Sequence, residues 1–86
     1  MGKINLPKSA SLMESVVKGV KDCGGKATNQ EIHDFVVRDL ALTTEQVNEI
    51  HSGNRTELNY RLAWARSNAK RKGLLLQAST KVWALP

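Results

Sequence analysis

Eighty-six residues with a net charge of +5 and 41% hydrophobic side chains make one small domain, able to bury roughly 60–65% of its unfolded surface around a single core. No run approaches the roughly 18 apolar residues that a membrane span needs, and MGKINLPKSASL has lysines but no apolar stretch behind them, so neither membrane insertion nor a secretory leader is expected. The lone Cys23 can form no internal disulfide and has no metal-ligating companion at useful spacing, which suits a reducing cytoplasm and a small residue near a helix end.

Residues 1–8 read as a flexible N-terminal segment and 9–86 as the folded domain. In SASLMESVVKGVKDCGG, Leu12, Val16 and Val20 stand four apart with Met13 and Val17 beside them, a first helix that a serine can cap and Gly24-Gly25 can end. The short KA that follows is a strand stub. A second helix opens on Thr28 with Glu31 at capping-box spacing and turns Ile32, Phe35, Val36 and Leu40 to one face. Thr43 and Gln46 repeat the capping pattern before Val47 and Ile50, predicting a short helix or helical turn that breaks at Ser52-Gly53-Asn54.

The next helix begins near Asn54 or Thr56 and runs to Lys72, with Gly73 as its stop. At about 100° per residue, Leu58, Leu62, Ala65 and Ala69 form its inward stripe. Thr56, Tyr60, Ala63, Ser67 and Arg71 lie opposite, with Asn59 and Lys70 on one shoulder and Trp64 on the other. After Gly73, LLLQASTKVWAL is an apolar run, a turn at Ala78-Ser79-Thr80 and an alternating segment around Val82 and Trp83, which predicts a β-hairpin. Helix, strand stub, helix, helical turn, long helix and hairpin is the order of a winged helix-turn-helix, a mainly α (α+β) fold in which the last helix lies in the major groove of DNA and the hairpin touches the backbone.

The charge is concentrated. From Asn54 to Gly73, Arg55, Arg61, Arg66, Lys70, Arg71 and Lys72 face only Glu57, while elsewhere seven Lys and Arg balance seven Asp and Glu. One element thus carries the whole excess, as a phosphate-binding footprint or a solvated helix face would. Lys70, Arg71 and Lys72 are the clearest phosphate contacts, although cations also suit a helix C-terminus. Asn59, Tyr60, Ala63 and Ser67 face a groove and can reach base edges or phosphates. Arg55 suits a phosphate or an internal acid. Ser79, Thr80 and Lys81 form the tip of the wing. Arg66, about 80° from the inward stripe, reads equally as a brace and as a phosphate clamp. Trp64 and Trp83 are expected to pack. His33 and His51 sit in different elements without zinc spacing, and no nucleotide cradle, nucleophile elbow or zinc-protease helix is present, so no cofactor, metal or catalytic residue is predicted.

GGKATNQEI, LALTTEQ, Arg55, RLAWARSNAKRKGLL and the terminal VWAL resemble the N-terminal domain of Mrr-type restriction proteins. The resemblance runs from about Leu12 onward, and Trp64, Ala65 and Arg66 followed by GLL are its most specific element. It implies a winged-helix DNA-binding module attached to a nuclease domain that cuts modified DNA, in a bacterial or phage nucleoid setting. The chain stops at Pro86 without a PD-(D/E)xK-like cluster. Cleavage by these residues is therefore not expected, and they form either a domain cut from a longer protein or a small stand-alone binder. The expected partner is double-stranded DNA, with methylated DNA, a homodimer and a C-terminal nuclease domain in the parent protein as the further associations left open. A protein-interaction or dimerisation module is the competing reading: exposed Leu74 to Leu76 and Trp83 would favour it, a continuous positive stripe over helix and wing would favour DNA.

Overall fold

The computed structural model describes residues 6–53 and 55–86, with the side chains of 50–52 and 55 outside that description. The expected flexibility of the first residues, the start at Asn54 and the side-chain roles of Arg55 and His51 therefore fall outside the described residues. The chain forms α1 (Ser9–Asp22), β1 (Lys26–Thr28), α2 (Asn29–Asp39), α3 (Thr44–Asn48), β2 (Ile50–Ser52), β3 (Arg55–Thr56), α4 (Glu57–Arg71), β4 (Leu76–Ser79) and β5 (Val82–Ala84). Helices α2 and α4 both pack on α1 or its neighbours, and β1, β5 and β4 make an antiparallel sheet in that order. This is the winged-helix-like α+β arrangement that the element order predicts.

Local chemistry explains most boundaries. Thr28 Oγ1 accepts from Glu31 N at 3.1 Å while Glu31 Oε1 accepts from Thr28 N at 2.9 Å, and Thr43 with Gln46 repeats this box at 3.1 and 2.8 Å. Thr56 caps α4 through the Asn59 N–H. Helix α1 differs from expectation. Its first turn closes from Leu12 N to Lys8 O, so the cap position falls on Lys8, whose side chain cannot accept, and Ser9 lies one residue inside the helix. The small β2–β3 ladder was not predicted either: Ser52 pairs with Arg55 across a turn whose Gly53 has φ +52°, and its strands are too short to show alternation. The wing's turn also lies later than expected. Ser79 still pairs with Val82, leaving Thr80 and Lys81 as the tip.

The core is one cluster around Leu12, Val16, Val20, Ile32, Val36, Leu58, Leu62, Ala65, Ala69, Leu75 and Trp83. The inward stripe of α4 is thus as predicted. Close packing of α1 on α2 depends on Gly19, where a β-carbon would lie 2.9 Å from Phe35 Cδ1. The buried Ser15 donates from Oγ to Asp39 Oδ2 at 2.9 Å, and Lys18 Nζ donates to Asp39 Oδ1 at 3.0 Å, so the one buried polar residue of the core among the described residues is satisfied from the last residue of α2.

Helices α1, α2 and α4 each end in a Schellman motif, but with different residues at the left-handed position. Gly24 and Gly73 fill it after α1 and α4, whereas Ala41 fills it after α2 at φ +51°. A left-handed L-residue costs roughly 1–2 kcal/mol, partly offset by the smaller unfolded-state entropy of alanine. Ala41→Gly is therefore expected to stabilise the domain by about 0.5–1 kcal/mol, raising the thermal midpoint by a few degrees. The Lys18 and Ser15 hydrogen bonds hold the Asp39 carboxyl below the usual carboxylate range. The group is more acidic folded than unfolded, so its contribution is complete above that range and is lost as pH falls through the depressed value. Asp39→Asn, which keeps an acceptor for Ser15, should lower the denaturation midpoint at neutral pH, and the gap to the parent chain should close as the pH is taken below the carboxylate range.

Candidate nucleic-acid interface

Strand pairing brings two distant segments together. Thr28↔Val82 in the β1–β5 ladder places the start of α2 beside the hairpin turn, and Asn29 N donates to Lys81 O at 2.9 Å. The indole Nε1–H of the buried Trp83 donates to Asn29 Oδ1 at 2.8 Å. The packing predicted for Trp83 is therefore observed, and its polar edge is satisfied as well as its ring. Lys81 takes the left-handed conformation, φ +65°, that closes the turn.

Between these elements and α4 runs an open groove of about 870 Å³. Asn29, Gln30 and His33 of α2, Asn59, Ala63 and Arg66 of α4, and Thr80 and Lys81 of the turn border it. Its charged side chains are Arg66 and Lys81, with the titratable His33 beside them, and among the described residues no carboxylate lines it. Asp34 Oδ1 lies 3.3 Å from His33 Nδ1 and also accepts from Gln30 Nε2. A cationic trough bordered by amide and hydroxyl groups can neutralise phosphates and hydrogen-bond to sugar or base edges.

Of the residues predicted for the site, Asn59, Ala63, Thr80 and Lys81 meet in this groove. Tyr60, Ala63 and Ser67 meet instead in a shallow notch of about 150 Å³ on the outer face of α4, shared with Trp64. Trp64 is 53% exposed. This corrects the expectation that it packs in the core: the core side of α4 is already filled by Leu58, Leu62, Ala65 and Ala69, and position 64 points away from that arc. Lys70, Arg71 and Lys72 are exposed at the end of α4 and line neither cavity, Arg71 donating to Asn68 Oδ1 at 2.8 Å. Arg61 is held locally by Glu57 Oε2 at 2.8 Å. Ser79 is exposed at the end of β4, next to the tip.

The contribution of α2 to the groove is not legible in the sequence. Asn29, Gln30 and His33 reach the groove because of the β1–β5 pairing, and the only local signal was the capping box that marks where α2 begins. Arg66, half-buried along the groove, occupies the place where a brace and a clamp coincide. Cys23 is exposed at the end of α1, where partial desolvation, then the Glu31 and Asp22 carboxylates, push its thiol pKa up. Among the described residues no group of three or more His, Cys, Asp or Glu could hold a metal ion, and no helix is long and apolar enough to cross a membrane.

The family model described as Mrr N-terminal domain matches residues 10–86. No curated protein and no solved structure matches the chain.

The Asn29 to Trp83 hydrogen bond is a testable joint. Asn29→Ala leaves the indole N–H without its acceptor, at a cost of about 1–3 kcal/mol in chemical denaturation. Asn29→Asp keeps an acceptor and suits a helix start, so it should retain most of the parent stability.

Proposed function

We propose that this chain, which belongs to the Mrr N-terminal domain family, is the target-recognition module of a restriction-type protein and binds duplex DNA with α4 and the β4–β5 wing. The family establishes an Mrr-type, restriction-associated domain, and duplex binding is proposed from the geometry of the groove. The observation that carries it is the groove between α2, α4 and the turn, bordered by Arg66 and Lys81 with no carboxylate among its described lining residues. Lys70, Arg71 and Lys72 add exposed positive charge at the end of α4. In this arrangement Arg66, Lys81 and the terminal cluster hold phosphates and set register, while Asn59, Tyr60, Ala63 and Ser67 address base edges. The small side chain of Ala63 leaves room for a methyl group, which suits a methylated target. Recognition without cleavage is proposed for these residues, with any cutting left to a nuclease domain of the parent protein.

A protein-interaction surface is favoured by a different observation. Leu74 and Leu76 are exposed, and Leu74 borders an apolar concavity of about 230 Å³ with Met13 and Val17 of α1. Leu75 and Trp83, by contrast, are buried, which removes half of the apolar surface that reading calls for. Sedimentation of the chain alone would show self-association through this face.

Titration of a fluorescent duplex at two salt concentrations tests the DNA reading. Binding should weaken steeply with salt, and the double charge reversal Arg71→Glu with Lys72→Glu should lower affinity and reduce the salt slope by about 2. Lys81→Gly is sharper, because it removes one cation while relieving the left-handed strain at φ +65°. It should lower the salt slope by about 1 without lowering the thermal midpoint. Absence of binding at low salt, or indifference to the charge reversal, would overturn the proposal.

A further inference from the structure

Tyr60, Ala63, Trp64 and Ser67 follow one another at i, i+3, i+4 and i+7 on α4 and line a single shallow notch. Two aromatic rings and an alanine methyl give it a mainly carbon lining. Trp64 leaves 53% of its surface in water, on a helix whose other exposed large side chains are Arg61, Lys70 and Arg71. Glu57, the one acid of α4, is engaged by Arg61. An apolar notch set among cations suits an anionic partner that offers one apolar group.

The major groove of DNA is such a surface. Every base pair there presents hydrogen-bonding edges, and the one apolar group among the ordinary bases is the 5-methyl of thymine. Resting on the reading that α4 enters a duplex, we propose that the notch between Tyr60 and Trp64 seats the methyl group of one thymine and makes Trp64 a specificity-determining residue. Thymine is then preferred over cytosine at that position through van der Waals contact and methyl desolvation, without a hydrogen bond. The surrounding cations favour nucleic acid over an apolar protein partner for this face.

Deoxyuridine replaces thymidine with loss of the methyl group alone, so it isolates the contact. In a duplex selected from a random pool by the unaltered chain, each thymidine is replaced in turn. At one position the change should lower affinity about three- to fivefold, the worth of one buried methyl. Trp64→Ala should lose the same factor on the thymidine duplex and show no further response to uridine. Ala63→Leu, which fills the notch and keeps the indole, should be equally insensitive; circular dichroism and the thermal midpoint establish that both variants fold. Uniform tolerance of uridine by the unaltered chain overturns the proposal, as does uridine sensitivity that survives in Trp64→Ala. Affinity that rises with 5-methylcytosine while ignoring uridine also overturns the thymine assignment, because the methyl then has another source. Failure to bind any duplex in the initial selection would instead defeat the DNA reading itself, before uridine is introduced.

Discussion

Asn29 holds the start of α2 to the hairpin turn through two hydrogen bonds, its backbone N–H to Lys81 O and its side-chain oxygen from the Trp83 indole. A helix start leaves several N–H groups without partners inside the helix. Here one of them is satisfied by a turn carbonyl from the other end of the chain, so the chemistry of a helix terminus is used as a tertiary joint. The separation between α2 and the wing, and with it the width of the groove, depends on this joint. Trp83 is the middle of the sheet, flanked by Ala27 and Gln77 in register. Its burial therefore anchors β1, β5 and β4 together with the groove wall.

That geometry redistributes the charge that is so concentrated along the chain. Seen as sequence, α4 is a single basic element. In the fold, Arg61 is engaged by Glu57, Arg66 and the hairpin's Lys81 both border the groove, and Lys70 to Lys72 occupy the exposed last turn and cap of the helix. The last group is also where the helix dipole favours positive charge, so its presence alone says little about a ligand. Arg66 and Lys81 say more. Two cations drawn from elements distant in sequence border one trough that no carboxylate lines among the described residues, and an anion lying there is attracted by both.

The parts of the molecule legible in its sequence are those governed by local rules. The period of Leu58, Leu62, Ala65 and Ala69 and the Thr28 and Thr43 capping boxes each involve residues within a turn or two of one another, and each is found as expected. The groove was less legible because half of its border depends on a bond between residues 54 apart, Asn29 and Trp83. No periodicity within α2 signals that its first turn will meet a hairpin. The cap of α1 falls on Lys8 rather than on a serine, because serine preference alone cannot decide which carbonyl accepts the first helical bond. The β2–β3 ladder is too brief for alternation to register.

The two tryptophans separate what residue type predicts from what helical spacing predicts. Both were assigned to the core by residue type, yet the helical spacing already placed position 64 off the inward arc, and the spacing was right. Trp83 has a central place in the sheet and a partner for its N–H; Trp64 lies on the outer face, and core packing gives it no role there. A helix needed only to complete the core could carry any good helix former at position 64 with no loss of packing and with less apolar area in water. An indole there adds nothing to the core and keeps a broad apolar surface beside a run of cations. The physical reading that fits both properties is contact: a rigid, largely apolar side chain orders at little entropic cost when a partner covers it, while the adjacent cations draw that partner in.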